Sequence, residues 1–111
     1  MYRLLLIDLD ANHAERLAAC LRERSLAVIV ADSVEEAIRS LQQRVPPFEL
    51  VVVVASGMSE QWLGALRKLV QTCRQCFMCQ SPSFLFVSHR KLSPYIRLRI
   101  QRLGVRYVHE R

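Results

Sequence analysis

The residues able to do chemistry fall into four groups. Asp8 and Asp10 flank Leu9 directly after an apolar run and make a short acidic loop. Ser56 and Ser88 offer hydroxyls, but no neighbouring residue reads as a base that would activate them. Cys73, Cys76 and Cys79 form a C-x2-C-x2-C run. His13, His89 and His109 are scattered along the chain. Against these stands Leu50-Val51-Val52-Val53-Val54, a run of aliphatic residues without a polar interruption. Short continuous apolar runs read as strands buried on both faces, and in sheets of such strands chemistry sits at the carboxyl ends. Here that end is Val54-Ala55-Ser56, with no ionisable group.

Composition limits what the chain can be. Its 111 residues suit one domain spanning 1–111, and 51% hydrophobic residues suffice for a core. No apolar run approaches the ~18 residues of a membrane helix. Met1 to Ile7 is too short for a secretory signal and runs straight into Asp8, so a soluble cytoplasmic protein is expected. The net charge is +6, from 16 Lys and Arg against 10 Asp and Glu. Much of the excess lies late in the chain, in Arg90, Lys91, Arg97, Arg99, Arg102, Arg106 and Arg111, opposed there only by Glu110. Such a segment suits an acidic partner or a solvated helix face. No recognition helix or base-reading motif accompanies it, so direct nucleic-acid binding is not expected.

The elements that must position these groups follow from periodicity. Arg3 to Ile7 reads as a strand, followed by an acidic loop and a helix carrying Ala14, Leu17, Ala18 and Leu21, with Asn12 as N-cap. Leu26 to Ala31 is a second strand. Ser33 and Glu36 form a capping box for a helix that buries Val34, Ala37, Ile38 and Leu41. Pro46-Pro47 ends it and leads to the central strand. Ser59 caps a third helix carrying Trp62, Leu63, Leu66, Leu69 and Val70, and Thr72 to Ser83 reads as irregular. Phe84 to Val87 is the fourth strand. Ser93 and Pro94 start a fourth helix as N-cap and N1, with Tyr95, Ile96, Ile100 and Leu103 as its stripe and Gly104 as its C′ residue. Arg106 to His109 is a fifth strand. Alternating strands and helices imply an α/β fold with a mostly parallel, doubly wound sheet.

In order and spacing these segments resemble the receiver domain of two-component response regulators. Leu4-Leu5-Leu6-Ile7-Asp8-Leu9-Asp10 resembles the family's first strand and acidic cluster. Phe48 to Val54 resembles its third strand, Phe84 to Ser88 its fourth, and Leu103-Gly104-Val105 the turn before its fifth. The resemblance implies a flavodoxin-like five-stranded sheet in order 2-1-3-4-5. It also implies a phosphoryl-transfer site with two acidic Mg2+ ligands, an acceptor aspartate after the third strand, a Ser or Thr after the fourth and a Lys after the fifth. Asp8 matches the first acidic position and Ser88 the hydroxyl. Leu9 falls on the second acidic position, with Asp10 one residue later, and Val54 falls on the acceptor. Arg111 falls near the Lys, or Glu110 after a slip of one residue. The family's last helix is lacking, so a longer natural chain or a partner that replaces that helix is expected.

Valine has no nucleophilic atom, so this pocket, made of Asp8, Leu9, Asp10, Val54, Ser88 and Arg111, is expected to be a degenerate phosphoacceptor site. The leading expectation is a non-enzymatic pseudo-receiver without cofactor or metal. It would signal through a protein partner or a homodimer, alone or as the regulatory part of a transcriptional regulator whose output domain binds DNA. In receivers the fourth helix and fifth strand make such contacts, which nominates Tyr95, Arg97, Arg99, Arg102, Arg106 and Tyr107. Arginine suits this because its planar fork pairs with carboxylates bidentately. The other reading is a small-molecule, metal or redox sensor that uses the emptied pocket or the Cys73-Cys76-Cys79 loop. Three thiols need a fourth ligand, such as His89 or Cys20, to hold zinc; buried or incidental thiols are the plainer reading. His13 and His89 would lie at the carboxyl end of the sheet in this fold, read as surface-loop histidines.

Overall fold

Alternation along the strands divides the molecule into two unequal layers. The computed structural model describes residues 2–8, 11–43, 48–55, 60–76 and 82–109. The elements in order are β1 (Arg3–Asp8), α1 (Ala11–Arg22), β2 (Ala27–Ala31), α2 (Val34–Gln43), β3 (Leu50–Ala55), α3 (Glu60–Cys76), β4 (Ser83–Ser88), α4 (Pro94–Arg102) and β5 (Val105–His109). The strands form one sheet in order β2-β1-β3-β4-β5, every pair parallel. This is the expected flavodoxin-like doubly wound topology. Strand order reverses between β1 and β3, and in open α/β sheets the crevice at such a reversal is where ligands sit.

Side chains on alternate residues of a strand face opposite layers. Leu5, Ile7, Val51, Val53, Phe84, Phe86 and Val105 face the layer that holds Ala37 and Leu41 of α2, Leu63, Leu66, Leu69 and Cys73 of α3, and Ile100 of α4. Leu4, Leu6, Val28, Val52 and Val54 face the other layer, where Ala18, Leu17 and Leu21 of α1 pack. Three helices thus cover one face, and α1 alone covers the other among the described residues.

Local chemistry sets the helix ends. The Ser33 hydroxyl accepts from the Glu36 amide at 3.1 Å, the expected N-cap bond. The Glu36 carboxylate accepts from the Asp32 amide at 3.4 Å, one residue earlier than a full capping box requires. Ser93 caps α4 by accepting from the Ile96 amide, with Pro94 in the first turn. Gly104 closes α4 at φ +82°, a left-handed conformation in which its N–H donates to the Gln101 carbonyl.

Strand ends differ from the sequence reading by a residue or so, and two helix boundaries differ by more in meaning. Asn12 lies inside α1, which begins at Ala11, so it is not the N-cap. The stretch from Thr72 is helical through Cys76 rather than irregular. Leu66, Leu69, Val70 and Cys73 keep one apolar stripe facing the core, and burial of that stripe carries α3 onward. Thr72 fits because its hydroxyl donates to the Lys68 carbonyl, one turn back, at 2.9 Å. Pro46, Pro47 and Ser59 lie outside the described residues.

Candidate functional site at the carboxyl ends of the central strands

The strand register fixes the site. Asp8 is level with Val54, and Val54 with Val87, which is level with Val108 on β5. In a parallel sheet, level residues point the same way, so these four make one row on the α1 face. Val54 is 1% exposed and Asp8 is 4% exposed. Asp8 and Val54 therefore stand side by side at the end of the central strands, both buried.

Asp8 has a partner that sequence spacing did not suggest. His13, in the first turn of α1, is hydrogen-bonded through Nδ1 to the Asp8 carboxylate. His13 is half-buried, and its ring meets that of His89 edge-on, with centroids 5.1 Å apart and planes at 85°. His13 is thus a helix residue braced on a buried carboxylate rather than a surface-loop histidine. His89 is exposed and follows directly on β4. The expectation that both histidines gather at this end of the sheet holds. The signal that could have found the pair is a carboxylate at a strand end with a histidine five residues on, across a short strand-to-helix turn.

Ser88 is placed differently from the pocket that the sequence suggested. It is level with Ala55 and His109, on the three-helix side of the row that holds Val54. It is fully buried, and its hydroxyl is engaged locally, donating to the Arg90 carbonyl at 2.6 Å and accepting from the Arg90 amide at 3.2 Å. Leu9, Asp10, Glu110 and Arg111 lie outside the described residues. Asp8 and Val54 are brought together, while Ser88 is turned into the loop that leads to α4.

Beside Asp8 is a cavity of ≈ 260 Å³ lined by Asp8, Ala14, Glu15, Val30, Asp32 and Glu36. Its carboxylates come from the β1 end, the β2–α2 connection and two helices. In a chain of net charge +6, this is a local concentration of negative charge.

Of the cysteine run, read from the sequence as a loop, Cys73 and Cys76 belong to α3. Cys73 is fully buried in the core under α3, and Cys20 is exposed on α1. Cys76 ends α3, and Cys79 lies outside the described residues. A metal held by Cys73 would have to open that core. Among the described residues, no three His, Cys, Asp or Glu side chains are grouped so as to hold a metal ion.

The residues nominated on α4 and β5 divide by exposure. Tyr95 is 63% exposed, with the Arg99 guanidinium 5.7 Å from its ring centroid, a cation–π arrangement. Leu98, 46% exposed, joins Tyr95, Arg99 and Arg102 on one helical stripe. Arg97 is half-buried, and Arg102 and Arg106 are exposed. Tyr107 is half-buried: its ring stacks near Phe86 at 6.3 Å, and its hydroxyl accepts from the Leu92 amide at 3.3 Å. It braces the β4–α4 loop.

No protein-family model matches the chain, and no curated protein sequence matches it. Solved structures do. The non-phosphorylated HemR receiver domain from Leptospira biflexa superposes with a TM-score of 0.74 at 23% identity, over 99% of this chain and 82% of that one. The chemotaxis protein CheY4 of Vibrio cholerae gives a TM-score of 0.78 at 13% identity, over 99% and 87%. The response regulator TrrA of Thermotoga maritima, in complex with Mg2+ and BeF, gives 0.71 at 18% identity, over 100% and 88%. The chain therefore has the fold of the response regulator receiver domain.

Proposed function

We propose that this chain is a receiver-like signalling module that does not undergo aspartyl phosphotransfer and acts in the cytoplasm through protein contact. The observation that carries this reading is Val54, buried at 1% exposure and level with Asp8. It occupies the end of the central strand with a side chain that cannot be phosphorylated. Asp8, the carboxylate beside it, is engaged by His13. This internal partner supports a pocket that needs no Mg2+.

Contact chemistry is concentrated on α4. Tyr95 and Leu98 expose apolar surface there, and Arg99 and Arg102 add cations. Aromatic and arginine side chains are the types that dominate binding energy at protein interfaces. A physical connection runs from the pocket to this helix: His13 contacts His89, the Ser88 hydroxyl fixes Arg90, and Tyr107 holds the Leu92 amide just before the Ser93 cap. Pairing with a protein partner or a second copy would then bias an attached or separate transcriptional output.

The test is incubation with acetyl phosphate and Mg2+, read by intact mass, and with beryllofluoride and Mg2+, read by NMR. The expected result is no added phosphoryl mass and no Mg2+-dependent beryllofluoride shift at Asp8 or Val54. Stoichiometric phosphorylation would refute the proposal.

A further inference from the structure

We infer that the amino end of the sheet, where the strands begin and the helices end, is a docking site for an extended acidic segment of a partner protein. All strands are parallel, so each connecting helix runs back against them and the two ends of the molecule carry different residues. The carboxyl end holds Asp8, Asp32, and Glu35 and Glu36 of the first turn of α2. The amino end holds arginines. Arg3 opens β1, and Arg24 lies in the turn between α1 and β2. Arg22, Arg74 and Arg102 occupy the last turns of α1, α3 and α4. The partial negative charge of a helix carboxyl end favours cations and accounts for those last three. It does not account for Arg3 or Arg24, which lie outside the helices.

These cations are held in place but not neutralised. Arg22 donates to the Val28 carbonyl at 3.0 Å, and Arg74 donates to the Leu103 carbonyl at 3.4 Å, next to Arg102. A guanidinium has five N–H donors, so each keeps others to offer. Arg22, Arg24, Arg74 and Arg102 are exposed and Arg3 is half-buried. Glu23 and Glu49 stand at the same end, yet among the described residues no carboxylate forms an ion pair with any of these five arginines. The spacing selects the partner. From Arg3 on β1 to Arg74 and Arg102 before β5 is three strand steps, about 14 Å. An extended chain covers that distance in about four residues. Glu49 precedes β3, between the two cationic groups, so the middle of the bound segment must be uncharged. A peptide can place carboxylates at its ends and none between, whereas a nucleic acid strand carries a phosphate at every nucleotide. The arginine fork takes a carboxylate bidentately. This end is remote from the Asp8 pocket, so docking here does not depend on whether Val54 blocks phosphotransfer.

The test uses residues 1–111 and three fluorescein-labelled probes. One peptide has glutamates on either side of a Ser-Gly-Ser spacer, a second has lysines in their place, and the third probe is a single-stranded oligonucleotide of the same charge as the glutamate peptide. Fluorescence anisotropy is expected to show saturable binding of the glutamate peptide that weakens as salt is raised, with the lysine peptide and the oligonucleotide binding about tenfold more weakly. Arg74→Glu and Arg102→Glu, with folding checked by circular dichroism, should each weaken binding about fivefold or more, and together abolish it. Arg16→Glu and Arg67→Glu make the same charge change at exposed mid-helix positions and should alter binding less than about twofold. NMR shifts on addition of the glutamate peptide should fall on Arg3, Arg24, Arg74 and Arg102. Equal weakening by all four charge reversals would show a response to net charge alone and overturn the inference. So would tighter binding of the oligonucleotide, or no binding. Loss of binding in Tyr95→Ala would place the peptide on the other end of α4 and overturn it as well.

Discussion

Replacing Val54 by aspartate places a carboxylate at the end of the central strand and so tests how closed to water the site is. Val54 is 1% exposed, with Asp8 level with it on the adjacent strand. Loss of the buried valine surface costs about 2 kcal/mol. An ionised carboxylate there also meets Asp8 at roughly 5 Å, worth about 3 kcal/mol of repulsion at an effective dielectric constant of 20. His13 offsets part of that repulsion. Desolvation adds several kcal/mol more. The folded protein avoids these charge terms by keeping the new carboxyl protonated, so its folded pKa rises above the unfolded value of about 3.9. Between those values the native state binds more protons than the unfolded state, so stability falls as pH rises, by up to about 1.4 kcal/mol per unit. Retaining the proton at pH 7 costs at most about 4 kcal/mol, which bounds the charge term. Urea unfolding of Val54→Asp, Val54→Asn and parent at pH 4 and pH 7 separates the parts. The asparagine variant should lose about 2 to 3 kcal/mol at both pH values, from lost apolar burial and an unsatisfied amide. The aspartate variant should match it near pH 4 and fall about 2 to 4 kcal/mol below it at pH 7. If both variants unfold at the same urea concentration at pH 7, the site is open to water and its burial is refuted.

Other substitutions probe the surrounding framework. His13→Ala removes a partner of a buried carboxylate and should cost about 1 to 3 kcal/mol in urea unfolding, while exposed His89→Ala should cost under about 0.5. Gly104→Ala should cost about 1 to 2 kcal/mol through its positive φ alone, because the added Cβ would meet only the Arg74 guanidinium, at an ordinary 3.5 Å. Ser33→Ala should lower stability by about 1 kcal/mol and raise amide exchange at Glu36. In native protein, iodoacetamide should modify Cys20 and spare Cys73, as read by peptide mass mapping; rapid labelling of Cys73 would contradict its burial under α3.

The sheet was legible because its strands carry their own signal. Four apolar runs and a short fifth strand, read as Arg106 to His109 and found as Val105–His109, appear in the chain with turn or cap residues between them, and order 2-1-3-4-5 followed from the resemblance. The place of Val54 at the end of the central strand was legible from the apolar run that precedes it, and the register sets it level with Asp8. The end of α3 was not. Thr72 and the cysteines look like loop residues until the buried stripe ending at Cys73 is seen to override them. The His13–Asp8 bond was hidden because it crosses a strand-to-helix turn, where neither the strand period nor the helix period applies. Ser88 was assigned to the pocket by its place after β4. Its local bond to Arg90 depends on loop geometry, which no residue pattern encodes. Tyr107 matched an interface composition, yet its hydroxyl bond to the Leu92 amide comes from a contact fifteen residues away.

The row through Val54 connects the features of this molecule. Asp8, Val54, Val87 and Val108 stand level across four strands on the α1 face, running from a buried carboxylate to a half-exposed valine at the sheet edge. At one end, His13 of α1 holds Asp8. At the other, Val108 is 43% exposed. The His13 ring also meets that of His89 edge-on, and His89 leads into the loop whose Leu92 amide is held by Tyr107, just before the Ser93 cap of α4. Asp8 is thus joined to the start of α4 by side-chain contacts that cross from the α1 face of the sheet to the three-helix face, which the strand period alone would keep apart.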